Sequence, residues 1–298
     1  MGGFLSTVAL TLLFAVVGCA SQVRLVQLGI SHGVYSLHGL ATLAFGSRGT
    51  LASAALQLTV SSGLIVTYFA LLFRDLPVLL GHALHLALDE DGRPLSQQSK
   101  FPQVAELLRD RVTFSEILAM GVVLPFSLMW VSHPKLKHAC IVVVLALFVT
   151  CCFVLTNTHA LHKRNAPAFS NGQDFSTVPL TIFESIGILA TTFASPRHAF
   201  HAFHALQERS LGRFACVASG ATLLSLFWAL GVGIGGYVSF LSGTRDDVVQ
   251  NYALDASASF NWVLWILLPF CAIVGIALEV TSRSLSLSHK QPVMGRCS

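Results

Sequence analysis

Seven stretches of the chain are almost wholly apolar: residues 4–23, 51–73, 113–132, 137–156, 179–204, 214–241 and 259–280. Each reaches the roughly 20 residues that a helix needs to cross the hydrocarbon core of a bilayer. The pattern predicts an all-α polytopic membrane protein with about seven transmembrane helices in a domain over residues 1–282, followed by a disordered tail at 283–298. The stretch LPVLLGHALHLAL (76–88) falls short of a span and either extends the second helix or lies at the interface. Among the connections, residues 24–50 form a mildly amphipathic Gly/Ser-containing run with His32 and His38, and residues 89–112 are the longest polar link. The short SHPK link (133–136) makes the third and fourth helices antiparallel neighbours, and residues 157–178 are a flexible polar loop.

Composition removes the soluble alternative. At 54% hydrophobic and 11% charged over 298 residues, no soluble core of this size hides so much apolar side chain. The net charge of +4 is spread between the apolar runs rather than along one stripe, which excludes nucleic acid as a partner. Six cysteines lie inside apolar runs, and the chain has no CxxC, so neither a disulfide framework nor a thiolate metal site is indicated. The N-terminus has no Lys or Arg before Arg24 and reads as a first retained span rather than a cleaved signal. Lys and Arg of the connections divide nine to eight between the two sides, and five of the eight belong to residues 74–112. Setting that stretch aside leaves three against nine, which places the C-terminus in the cytoplasm.

The fifth run, PLTIFESIGILATTFASPRHAFHAFHAL from Pro179, differs from the others. It carries Glu184, Gly187, Thr191, Thr192, Ser195 and Pro196 at membrane depth. Lipid offers such groups no partners, and non-helical backbone is tolerated there only where protein or a wet cavity satisfies it. The spacing predicts a helix that breaks between Gly187 and Arg197, whereas the sixth run is continuous. Discontinuous helices of this kind mark substrate sites in secondary transporters. Glu184 is an intramembrane acid, with a functional reading by default, or else a residue near the membrane surface five positions after Pro179.

Other constellations have plainer readings. His198, His201 and His204 lie about 60° and 120° apart on a helix and fan outward, so they do not converge on a metal. The HxxH pairs His82/His85 and His159/His162 keep a metal-dependent membrane hydrolase as a distant alternative, although neither pair sits deep in an apolar run beside an acid. No metal or cofactor site is assigned, and the chain is not read as an enzyme. Gly231, Gly235 and Gly236 in the sixth run follow no strand and serve close helix approach rather than phosphate binding.

From Gly236 the chain reads GYVSFLSGTRDDVVQNY. This resembles the seventh-helix exit of the amino acid/auxin permease family, in its neutral amino acid or vacuolar transporter branch, with Gly236, Tyr237, Phe240, Gly243, Asp246, Asp247, Val248, Val249 and Tyr252 in matching places. SIGILATTF (185–193) is similar to that family's sixth helix, with Gly187 where many members have Pro. FGSRG (45–49), Tyr68 nine residues before Pro77, and VLPFSL (123–128) follow in the same order. The family has about eleven helices in an inverted repeat, and the seven runs correspond to helices two through eight, a partial copy. The first helix and the last three have no counterpart, which implies a truncated gene model or a shortened paralogue. FCAIVGIAL (270–278) lacks the hydroxyls that sodium-coupled relatives carry in the eighth helix.

The resemblance implies transport of small neutral amino acids by alternating access, coupled to a proton or sodium gradient, in a plasma or vacuolar/lysosomal membrane. Gly187, Ala190, Thr191, Thr192 and Ser195 would supply open backbone and hydroxyls to the substrate. The alternative from another class is a non-transporting seven-helix protein, receptor-like or an accessory subunit.

Overall fold

The computed structural model describes residues 4–83, 103, 106, 110–125, 136–169, 182–193, 196–240, 251, 267 and 269–280. Among the described residues the secondary structure is helical, with no strand. In chain order the helices are α1 (Phe4–His32), α2 (Leu37–Ala83), α3 (Arg111–Leu118) continued by a π-helical turn (Ala119–Val123), α4 (Leu136–Phe169), α5 (Ile182–Phe193), α6 (Pro196–Ala205), α7 (Leu211–Phe240) and α8 (Pro269–Val280). Four of these helices are long and apolar enough to cross a membrane: α1, Leu37–Phe73 of α2, His138–Lys163 of α4, and α7. The chain is thus an all-α polytopic membrane protein, and α5 with α6 takes the place of the fifth run.

Two connections expected as loops are helical. Residues 24–32 complete α1, because the stop signal is not their polarity but Gly33, at φ +67°. The Gly33 amide reaches the Ile30 carbonyl at 3.3 Å and the Val34 amide reaches that of Gly29 at 2.9 Å, the paired bonds of a Schellman cap. Three residues later Ser36 restarts the chain by accepting the Gly39 amide on its Oγ at 3.0 Å. Residues 157–169 likewise belong to α4. LPVLLGHALHLAL resolves as an extension of α2 as far as Ala83.

Within α2 the chain reverses at Gly46 (φ 66°, ψ −153°), a conformation that is essentially glycine's alone. Residues 37–45 fold back on the first turns after it. His38 Nδ1 and Ser53 Oγ are 2.8 Å apart, and the hydroxyls of Thr42 and Thr50 are 2.6 Å apart. Gly49 has no room for a Cβ because the Ala41 carbonyl lies against it. FGSRG therefore needs its first glycine for φ and its second for contact.

The chain forms two compact units, residues 1–60 with 151–248 and residues 61–150 with 249–298. In the second unit, Leu72, Phe114, Leu118, Val123, Ala272 and Ile276 form the core, and the Tyr68 ring lies on Gly275, where a Cβ would be 2.9 Å from its Cζ.

The first unit holds the interrupted run, and helix directions there follow from which residues meet. Along α1, Gly18 meets Phe193 and Gly29 meets Phe200, so α1 runs parallel to α5 and α6. Phe4 stacks on Tyr237 at 5.0 Å and Cys19 Sγ lies 3.6 Å from Ser219 Oγ, so α1 and α7 are antiparallel. Gly231 meets Cys151, and Gly235 meets Val154 and Thr158, so the end of α4 runs parallel to α7. These directions alternate as they must if each run crosses once, with α5 and α6 sharing one crossing.

The α4–α7 seam shows why residues 157–162 stay helical. Gly231 and Gly235 let the backbones close in, as in other small-xxx-small membrane contacts. Thr158 Oγ1 then donates to the Gly235 carbonyl at 3.3 Å, and His162 Nδ1 donates to that of Val238 at 2.8 Å. The polar residues that suggested a loop are interhelical fasteners.

Gly33→Ala and Gly46→Ala should each lower the stability of the purified protein by about 1–3 kcal/mol, because both place a Cβ on left-handed or glycine-only backbone. Gly63→Ala is the control, since a Cβ there meets nothing within 4 Å. Unfolding midpoints in detergent measure the difference, and equal midpoints for all three would contradict the cap and reversal described above.

Candidate functional site

Pro196 opens α6. At the first helical position its missing N–H costs nothing, because that group would have no partner within the helix anyway. Seen from α5, the same residue withholds the amide that the Thr192 carbonyl would take from the residue four ahead. Among the described residues α5 reaches Phe193 and α6 begins at Pro196, with residues 194–195 outside the described set, and α7 is continuous from Leu211 to Phe240. A helix that ends leaves its last carbonyls without helical partners and carries a negative pole there, and a helix that begins offers amides and a positive pole.

α5 has two faces. Leu189 and Phe193, four residues apart, are buried in a cluster with Ala15 of α1, flanked by Leu10, Phe14 and Leu226. Phe193 comes closest: a Cβ on Gly18 would be 2.7 Å from its carbonyl oxygen. On the other side Gly187, Ile188, Thr191 and Thr192 form one exposed stripe at spacings of one and four. A Cβ added to Gly187 meets nothing within 4 Å.

The structure brings Gly187, Thr191 and Thr192 onto this stripe with Ala190 half-buried beside it. Ser195 lies outside the described residues. Gly187 is inside α5 and not at the interruption, so what it contributes is surface without a side chain, not an opened backbone. Thr191 Oγ1 and Thr192 Oγ1 both donate to the Ile188 carbonyl, each at 2.8 Å. Their protons are thereby committed within the helix, and their oxygen lone pairs face outward as acceptors.

α6 is held from its own side. Ala199, Phe200 and Phe203 are buried with Val26, Phe214 and Ala218. Tyr35 stacks on Phe203 at 6.0 Å and meets His204 edge-on at 5.4 Å. His198 is half-buried, and His201 and His204 are exposed. Among the described residues no group of three or more His, Cys, Asp or Glu could hold a metal ion. His162, one half of an HxxH pair, is instead the fastener on Val238. His85 lies outside the described residues, as does the side chain of Glu184.

Two features escaped sequence reasoning. Gly18 and Gly29, buried on α1, meet the two halves of the interrupted run. An isolated glycine within a helical pattern was their only signal. In the second unit Glu279 is 6% exposed, on the helical face of Ala272 and Ile276. Sequence reasoning gave it no attention, because an acid at the end of an apolar run carries no local signal of burial.

Thr191→Val and Thr192→Val should leave stability within about 0.5 kcal/mol of the parent, because each hydroxyl bonds only its own helix at an exposed position. Phe193→Ala should cost roughly 3 kcal/mol through lost packing against α1. Unfolding of the three variants side by side checks the two-faced description, and a large loss in either threonine variant would overturn it.

The sequence profile of the transmembrane amino acid transporter protein family matches residues 1–281. No curated protein and no solved structure matches the chain.

Proposed function

The chain belongs to the transmembrane amino acid transporter family, and from that premise we propose that it carries small neutral amino acids by alternating access, coupled to a proton or sodium gradient, with the substrate bound at the interruption of the fifth run. The observation that carries this reading is the pairing of an exposed threonine stripe with two opposed helix ends. A zwitterion presents one charge to each end. Its ammonium suits the carbonyl end of α5 and the acceptor oxygens of Thr191 and Thr192, and its carboxylate suits the amide end of α6. Gly187 and Ala190 leave space along the stripe for a small side chain, and the sequence puts a further hydroxyl, that of Ser195, immediately before Pro196.

A neutral substrate follows from the same balance. The two helix ends offer opposite partial charges, so a substrate with no net charge satisfies both, and a further charged side chain would face the apolar Ile188. In this reading the threonine hydroxyls accept from the ammonium without giving up their bonds to the Ile188 carbonyl, so no local rearrangement opposes binding.

Uptake of a radiolabelled small neutral amino acid into proteoliposomes tests the proposal. Thr191→Val and Thr192→Val should each weaken apparent affinity roughly tenfold to a hundredfold, corresponding to a loss of about 1–3 kcal/mol for an unpaired ligand group. Thr→Ser at either position should retain most of it. Thr156 is an exposed threonine whose hydroxyl also bonds only its own helix, at Phe153, so Thr156→Val should be silent. Unchanged uptake in both site variants at subsaturating substrate would remove the stripe from the site.

A further inference from the structure

The two halves of the interrupted run meet the same partner. Gly18 and Gly29 stand on α1, three helical turns apart, and both are buried. At Gly18 a Cβ would lie 2.7 Å from the Phe193 carbonyl oxygen and 3.2 Å from the carbonyl carbon and Cβ of the same residue. Phe193 is the last residue of α5, one position after Thr192. At Gly29 a Cβ would lie 2.6 Å from Cε1 of Phe200 and 2.8 Å from the Val34 carbonyl oxygen. Phe200 is buried in α6, and Val34 closes the Schellman turn of α1.

Several glycines of other helices lack such a neighbour. Gly63, Gly187, Gly212 and Gly220 have nothing within 4 Å of a built Cβ. A glycine inside a helix costs roughly 0.5–1 kcal/mol relative to alanine, so a buried one in contact needs a reason in what it touches. At Gly18 the neighbour is backbone, which cannot swing away as a side-chain terminus does. At Gly29 it is half side chain and half backbone.

We propose that Gly18 and Gly29 are positioning residues of the transport site: paired seats on α1 that fix α5 at Phe193 and α6 at Phe200 separately, and so set where the threonine stripe stands relative to α6. The inference rests on the transport reading for its consequence, although the seats themselves do not. The α5 seat acts on the last turn, which carries Thr191 and Thr192, so displacing it shifts the acceptor oxygens relative to the amide end of α6. The α6 seat acts through the Phe200 ring. Because the two seats are on one helix, a change at either shifts α5 and α6 relative to each other rather than moving both together.

The full-length protein in proteoliposomes tests this with two readouts. Gly18→Ala should raise the KM for uptake of a small neutral amino acid at least tenfold, and Gly63→Ala should leave it unchanged. Gly29→Ala should raise KM similarly, and adding Phe200→Leu should recover part of that loss by removing the ring atoms the new Cβ meets. Phe200→Leu should not rescue Gly18→Ala, whose clash is with backbone. An unchanged KM in Gly18→Ala, or rescue of Gly18→Ala by Phe200→Leu, would overturn the assignment. The second readout needs no transport: a water-soluble maleimide should label Thr192→Cys at a rate changed at least threefold by Gly18→Ala and unaltered by Gly63→Ala, after subtraction of the parent's own cysteines. An unaltered rate with Gly18→Ala overturns the seat whether or not the parent transports. If the rate shifts while the parent shows no uptake, the transport reading fails and the seat stands.

Discussion

Inside a bilayer a backbone carbonyl that loses its helical partner has no water to turn to, and each such group left alone costs several kcal/mol. The fifth run meets that constraint at Thr192, whose carbonyl faces Pro196 four residues ahead. The described residues on either side of Pro196 are packed against other helices. The helix before it is pinned on one face by Leu189 and Phe193 against Ala15, and the helix after it is pinned by Phe200 and Phe203 against Val26 and Phe214. What remains uncovered is the stripe that carries the hydroxyls.

Packing in this unit is achieved with small residues and a few polar fasteners rather than with hydrophobic burial alone, because lipid is as apolar as a leucine side chain and gives helices no reason to associate. Gly231 and Gly235 bring α7 against the end of α4, and Thr158 and His162 then bond its carbonyls. Gly18 and Gly29 do the same for α1 against α5 and α6 without hydrogen bonds in the contact itself. The difference suits the proposed roles: a bonded seam for the supporting helices, and a shape-determined contact for the element proposed to hold the ligand.

Much of this was legible from residue patterns. The described parts of the seven apolar runs are helical, and the Ser195-Pro196 pair stands where the description passes from α5 to α6. Two connections were misjudged for one reason: polarity was read as a loop signal, whereas residues 24–32 end only at Gly33 and residues 157–162 are held helical by carbonyls of α7. Those partners are about 76 residues away in the chain, beyond the reach of local pattern. The same limit applies to the site. Which side of α5 is exposed depends on Ala15 and Gly18, and nothing within residues 182–193 specifies them.

The central claim is that the interruption binds a zwitterion through two opposed helix ends, and ligand-induced stabilisation of the purified protein tests it most directly. A ligand at a hundred times its Kd raises stability by about 2.7 kcal/mol, readily seen as a shift in the unfolding midpoint. Alanine should produce such a shift, while ethylamine and propionate, each keeping one of its two charged ends, should produce little or none at the same concentration. A shift with ethylamine or propionate equal to that with alanine would contradict the account, since one end of the interruption would then suffice.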